Sequence, residues 1–284
     1  MIAYIEWNAK PQIVDLGFIE LRWYSLLFLS GFVVGYYILS KIFKKEGLSI
    51  DLLDKLTFYV VISTIIGARF GHCLFYEPDV YLRNPLKIIL PFEGTPGVDF
   101  RFTGYQGLAS HGGALGILIG LYLYTKRFKR PYIWILDRMA VVTAFAGTMI
   151  RIGNFFNSEI IGKPTDLPWG VKFVHLAYPG TPVEHVVTRH PAQIYEAICY
   201  LIFFVILILV YYKKYPKLKP GLLIGLFFSL MFTARFLIEF IKEDQVDFES
   251  NMKLNMGQWL SIPFIILGIY FIFRKEKSRQ EQSA

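Results

Sequence analysis

The chain has 284 residues, 54% of them hydrophobic and 17% aromatic, with two cysteines and a formal charge of +8. That composition is too apolar for an ordinary soluble domain, and it lacks the bias of a disordered or fibrous chain. The charge does not mark a nucleic-acid partner, because it is segregated: 16 basic residues fall in about 40 positions of segments 41–55, 126–132, 213–219 and 274–284, against 10 in about 104 positions of the other four connections.

Apolar runs of the length a spanning helix needs recur at roughly 22–41, 56–76, 106–125, 133–153, 193–212, 220–241 and 256–273. The first run follows about twenty polar and mixed residues, and no small-residue cleavage site comes after it. It therefore reads as a permanent helix and not as a removed signal peptide. Between the second and third runs, Pro85 to Pro91 form an apolar stretch too short to span. Such a stretch suits an interfacial or re-entrant piece. Residues 154–192 carry Pro164, Pro168, Pro179 and Pro182 with Gly162, Gly170 and Gly180 between them, the pattern of a turn-rich cap. Basic and non-basic connections alternate strictly, so the positive-inside rule puts the N-terminus outside and the C-terminus inside. The expected fold is all-α and integral to the membrane: seven transmembrane helices in a single polytopic domain over 1–284, with an extracytoplasmic cap at about 154–192.

Glycines four residues apart (Gly31 and Gly35, Gly67 and Gly71, Gly116 and Gly120, Gly221 and Gly225) put small faces on four of the runs, where backbones can approach closely. Cys73 and Cys199 fall in different runs and have neither metal nor disulfide spacing; they read as packing residues. The five histidines form no HExxH and no Cys/His pair, so no metal is expected.

Four arginines, Arg69, Arg138, Arg151 and Arg235, lie inside apolar runs. A guanidinium there costs ~2.5–3.5 kcal/mol on the most lenient scale, so such residues usually mark a site. With the expected topology, Arg69, Arg151 and Arg235 share the outer leaflet. Tyr24, Tyr76, Gln106, Ser110, His111, Asn154, Asn157, Glu159, His190, Gln193, Tyr195, Glu196, Glu239 and Gln258 fall at the same depth. Asp137 and Arg138 sit at the inner end, as an interfacial ion pair would. A cluster of cations at one leaflet calls for an anion, and the abundant anion there is a lipid phosphate. Arg235 and Glu239 are four apart on one helix face and can pair with each other, which is also how a buried structural salt bridge looks. His111 opens a stretch with Gly112, Gly113 and Gly116. Those glycines suit close approach to another helix or to a ligand, and the imidazole suits proton transfer.

The segment from Arg151 to Gly162 reads R-I-G-N-F-F-N-S-E-I-I-G. With Leu21–Tyr24, Gly67–Arg69 leading to Leu74–Tyr76, the HGG at His111, Arg189–Glu196, Ala234-Arg235 with Glu239, and Met256–Gln258, it resembles the bacterial prolipoprotein diacylglyceryl transferase family in order and over nearly the whole chain. His72 stands where that family leads one to expect a tyrosine, and Ala114 where a larger apolar residue is common.

The resemblance implies an enzyme of the bacterial cytoplasmic (inner) membrane with its active site toward the outer leaflet. It implies transfer of the diacylglyceryl group from phosphatidylglycerol to the lipobox cysteine of a prolipoprotein signal peptide, with release of glycerol 1-phosphate and no cofactor. His111, Arg151, Arg235 and Glu239 are then the expected catalytic residues. His111 is the expected base, with Glu239 or a substrate phosphate oxygen as alternatives. Arg151, Asn154, Arg235, Tyr24 and Arg69 are expected to bind the lipid, supported by Glu159, Asn157, Gly112, Gly113, Tyr76 and Gln193. Glu159 and Glu239 are expected to orient the arginines. A lipid or anion transporter is the main rival, since intramembrane arginines serve transport equally well, but neither repeat symmetry nor a path of polar residues extending to the inner leaflet accompanies them.

Overall fold

The computed structural model describes residues 4–16, 20–85, 88, 92–93, 101–102, 107–178, 181–244, 249 and 252–275. Most of the Pro85–Pro91 stretch, Gln106, Pro179, Gly180 and the end of the basic tail lie outside the described residues. The chain is mostly helical, with α1 Trp23–Lys45, α2 Ile50–Phe75, α3 Pro78–Arg83, α4 Ser110–Arg127, α5 Tyr132–Phe156, α6 Ala192–Lys214, α7 Leu222–Ile238 and α8 Met256–Phe273.

Six of these are long and apolar enough to cross a membrane: α1, α2, α5, α6, α8, and α7 with its extension to Ile241. The protein is therefore a multi-pass membrane protein. The third expected span is occupied by α4, an 18-residue helix diluted by Gly112, Gly113, Gly116 and Gly120. Helix ends depart from apolar-run ends for a simple reason: hydropathy marks the membrane, whereas hydrogen bonding marks the helix. Thus α2 starts six residues before its apolar run, where the Ser49 hydroxyl accepts the N–H of Leu52 and Lys55 pairs with Asp51 one turn on. Helix α7 stops at Ile238, and Glu239–Ile241 continue as a 3-10 turn.

The chain folds as two compact units. In residues 40–135, α2 lies directly on α4. A Cβ added to Gly67 would sit 2.7 Å from Gly116 Cα, and one on Gly71 2.7 Å from Gly112 Cα. Only glycine permits such an approach, and the four-residue spacing repeats it on successive turns. At the basic end of this pair, Leu53, Leu56 and Leu121 are buried beside Tyr124, whose hydroxyl donates to Leu52 O at 3.1 Å. Trp134 Nε1 donates to Glu46 at 2.9 Å.

In the unit of residues 1–39 and 136–284, α1 meets α5 at Gly31, where an added Cβ would lie 3.2 Å from Ala146 Cα. Helix α7 packs on α8 through Gly225 and Gly268 and a stacked Phe232–Phe264 pair at 4.3 Å. Asp137 is wholly buried, and its carboxylate accepts the N–H groups of Gly221 (2.7 Å) and Ile224 (2.9 Å), so it caps the start of α7 from another helix.

The all-α expectation omitted short strands. β1 (Ile5–Trp7) pairs in parallel with β6 (Val171–Phe173), which pairs antiparallel with β7 (Thr188–Arg189). β2 (Gln12–Asp15) and β3 (Glu20–Arg22) form a hairpin, and β4 (Phe92–Glu93) pairs with β5 (Arg101–Phe102) in the other unit. Strands of two to four residues are too short to show alternation in sequence. The sheet closes the segment between α5 and α6 over a small core of Phe155, Val171 and Phe173, with Trp7, Ile161 and Ile194 packed against it. The turn-rich cap is thus a built element attached to the end of α5.

Candidate active site

Helix α5 carries Arg151 and Asn154 on its last turns and ends at Phe156. The following turn holds Ser158 at φ 55° and Ile160 at φ 58°. Left-handed backbone is unusual for a serine and an outlier for a β-branched isoleucine, and such strain gathers at functional segments. Its effect is to fold Glu159 back onto the helix end. The Glu159 carboxylate accepts Asn154 Nδ2 at 2.9 Å and Asn157 Nδ2 at 3.0 Å, while Gln193 donates its amide to the Glu159 carbonyl. Gly153 leaves room for the ring of Tyr24, whose Cδ2 would lie 2.8 Å from an added Cβ. The Tyr24 hydroxyl is near enough to Glu159 and Arg151 to feel both charges.

Arg151 is held from two sides. Its Nη1 donates to Asn154 Oδ1 at 3.3 Å, and its Nε lies 2.9 Å from Glu196 Oε2. Glu196, wholly buried on α6, also accepts Lys242 Nζ at 3.0 Å and the Tyr200 hydroxyl at 3.3 Å through Oε1. Lys242 binds Glu239 Oε2 at 3.0 Å with the same ammonium. The Glu239 carboxylate rests on Gly257 in the first turn of α8, where an added Cβ would be 2.7 Å from the carboxylate carbon. A helix N-terminus is a favourable place for a negative group. Buried ion pairs hold together only while every member is present, since removing one leaves a charge without compensation.

Arg235, on α7, lies close enough to Tyr200 to interact with it electrostatically. Among the described residues it makes no hydrogen bond and no ion pair. Arg151, Lys242 and Arg235 balance Glu159, Glu196 and Glu239 in formal charge, but Arg235 takes no share of the pairing. Arg151, held by Glu196 and Asn154, and Arg235, without an ion pair among the described residues, both lie within electrostatic reach of Tyr200, and guanidinium groups suit a tetrahedral oxyanion.

The other unit places a second set. His111 is exposed at the start of α4, with its ring 5.5 Å from Phe75 and 5.8 Å from Tyr76. His72 stacks on Tyr76 at 5.6 Å and sits 3.6 Å from the Glu77 carboxylate. The entry to α4 is tied to α2 by Ala109 N–H on Ala68 O at 3.0 Å. Arg69 is buried; its Nε donates to Ile88 O at 3.1 Å and its guanidinium lies 4.8 Å from the Tyr81 ring centre. Gly112 approaches Gly67 and Gly71, and Gly113 packs against Thr64 and Ala68. Of the two uses expected for these glycines, the structure shows the helix contact.

The expected residues therefore fall into two groups: Tyr24, Arg151, Asn154, Asn157, Glu159, Gln193, Arg235 and Glu239 in one unit, and Arg69, Tyr76, His111, Gly112 and Gly113 in the other. Two expectations are corrected. Among the described residues Arg235 and Glu239 do not pair; Glu239 opens a 3-10 turn, in which positions i and i+3 eclipse, and its carboxylate is taken by Lys242. Among the described residues Glu159 reaches Arg151 through Asn154, Glu239 acts on Arg151 by its charge without an ion pair, and the carboxylate paired with Arg151 is Glu196. The sequence places Glu196 by its depth and within the Arg189–Glu196 motif, without a partner, and does not single out Lys242. The i+3 spacing from Glu239 was the one local signal for Lys242.

These features define a class: a multi-pass membrane protein with one guanidinium braced by a carboxylate and another that has no ion pair among the described residues, suited to an anionic ligand. A sequence profile of the prolipoprotein diacylglyceryl transferase family matches residues 11–274. The chain belongs to that family. It is similar to the phosphatidylglycerol–prolipoprotein diacylglyceryl transferase of Bacteroides fragilis, with 44% identity over 273 residues and 96% of each chain covered. It is also similar to the proteins of the same name from Tolumonas auensis (41% over 276 residues, 96% of this chain and 99% of the relative) and Porphyromonas gingivalis (42% over 288 residues, 97% and 96%).

Proposed function

We propose that this protein is a transferase that moves the sn-1,2-diacylglyceryl group of phosphatidylglycerol onto the lipobox cysteine of a prolipoprotein, the first step of lipoprotein maturation. The cysteine sulfur attacks the glyceryl carbon that bears the phosphate ester. A C–S bond forms, the C–O bond to phosphate breaks, and the electron pair leaves on the phosphate oxygen of glycerol 1-phosphate. The thiol proton goes to a base. His111, exposed and with the Phe75 and Tyr76 rings beside it, is the base this reading favours. Glu239 is already engaged by Lys242.

The observation that carries the reading is Arg235, which has no ion pair among the described residues although a carboxylate lies four residues on. Arg235 and Arg151 stabilise the charge that grows on the leaving phosphate. Asn154 holds the headgroup, Tyr24 and Arg69 contribute to lipid binding, and Asn157, Glu159, Gln193, Tyr76, Gly112 and Gly113 support them. The phosphate ester supplies its own leaving group, so the reaction requires no cofactor.

In the same reading α4 is the seventh crossing of a single polytopic domain. Lys44 and Lys45, Lys126 and Arg127, and Lys213 and Lys214 end α1, α4 and α6. They support a cytoplasmic location for those ends in a bacterial inner membrane, with the N-terminus, the cap and the active site on the outer side.

The test is to incubate purified protein with phosphatidylglycerol and a lipobox peptide. The expected outcome is a diacylglyceryl mass gain on the cysteine with one glycerol phosphate released per peptide. An unmodified peptide after prolonged incubation would contradict the proposal.

A further inference from the structure

Lys242 stands out because its place is built from two directions. Its side chain is 2% exposed and its ammonium lies 3.0 Å from both Glu196 Oε1 and Glu239 Oε2. Its main chain is clamped to the cap. Lys163 N–H donates to Ile241 O at 2.8 Å and Glu243 N–H to Ile161 O at 3.1 Å. Gly162 and Lys242 form a bridge between these bonds, and Arg189 pairs with Glu243 at 2.6 Å. Gly162 is required there, because an added Cβ would meet His190 Cβ at 2.5 Å and Ile241 O at 2.9 Å. So much local structure devoted to one lysine calls for a reason, and Glu239 supplies it. That carboxylate is one helical turn from Arg235, close enough in sequence for the two to pair. Without a competing cation, Glu239 would take the guanidinium that the phosphate needs.

We propose that Lys242 is a positioning residue: by occupying Glu239 and sharing Glu196 with Arg151, it keeps Arg235 free to receive the phosphate of the donor lipid. The inference rests on the function proposed above. An ammonium suits this task because it is a compact charge with three donors that can serve two carboxylates at once.

The test compares three variants with the unmodified enzyme in the lipobox-peptide assay, each checked for folding by thermal melting in detergent. Lys242→Met lets Glu239 capture Arg235, so KM for phosphatidylglycerol is expected to rise by at least about tenfold, as for loss of one partner of a buried pair. Lys242→Arg keeps the charge and is expected to retain turnover. In Lys242→Met with Glu239→Gln, the captor is gone and Arg235 is free again. This double variant is expected to recover at least about tenfold over Lys242→Met, coupling of the kind a double-mutant cycle detects.

A lysine that serves only to hold the fold would give no such recovery, and a double variant no better than Lys242→Met overturns the proposal. If Lys242→Met does not fold, the double variant decides alone. Folded and active, it supports the proposal; folded and inactive, or equally unfolded, it overturns it. Absence of transfer by the unmodified enzyme would instead contradict the function itself, so the two failures are distinguishable.

Discussion

In residues 40–135, α2 and α4 meet through Gly67, Gly71, Gly112 and Gly116, backbone against backbone. In the other unit, α5, α6 and the chain just after α7 meet through Arg151, Glu196 and Lys242, charge against charge at about 3 Å. The first contact is sensitive to volume and indifferent to charge. The second is sensitive to the number and geometry of charges, and its elements are held apart by long side chains. A membrane offers little hydrophobic force between helices, so each contact needs a specific device.

His111 sharpens the comparison most, because it is the chemical group of the glycine-built unit. His111→Gln is expected to lower transfer by about 10²–10⁴-fold, the usual worth of a general base, while phosphatidylglycerol still binds. Normal transfer by this variant in the peptide assay would remove His111 as the base. Arg151→Lys keeps the charge but loses the fork that meets Glu196 and Asn154 at once. A loss of about 10²-fold in turnover is expected, with little change in melting temperature, because geometry and not charge is removed. Full turnover would break the claim that this contact depends on charge geometry.

Gly67→Ala tests the other side. Its Cβ would collide with the Gly112 carbonyl and Gly116 Cα, where backbone cannot yield. Unfolding in detergent is expected to become easier by about 1–3 kcal/mol, the cost of overpacking. Gly31→Ala, with 3.2 Å to Ala146 Cα, should cost less than about 1 kcal/mol, because a few tenths of an ångström relieve it. Cys199→Ala is the smallest: no measurable change in transfer, which separates the half-buried thiol from the charged network three residues before it at Glu196.

Six of the helices were legible in the sequence because each is a long apolar stretch with punctuated ends; the six-residue α3 was not, being too short to show a period. The local constellation Arg151, Asn154, Asn157 and Glu159 was legible too, since all four lie within nine residues at helix-end spacing. The carboxylate on Arg151 was not. Glu196 is 45 residues away, and only the packing of α6 on α5 brings it in. Lys242 was hidden for a different reason: helical periodicity allows Glu239 to pair with Arg235, and nothing in composition announces that α7 tightens into a 3-10 turn at that residue. The short sheet of β1, β6 and β7 was illegible because strands of two or three residues have no period to detect.

The central claim is that an unpaired guanidinium receives the departing phosphate, and Arg235→Ala tests it most directly. Purified unmodified and variant protein would be placed in phosphatidylglycerol nanodiscs with excess lipobox peptide, and glycerol phosphate release would be followed over a single turnover. The account predicts release from the variant slowed by at least about 10²-fold, with an unchanged melting temperature, because among the described residues Arg235 has no hydrogen bond or ion pair to lose. Release at the unmodified rate would contradict it.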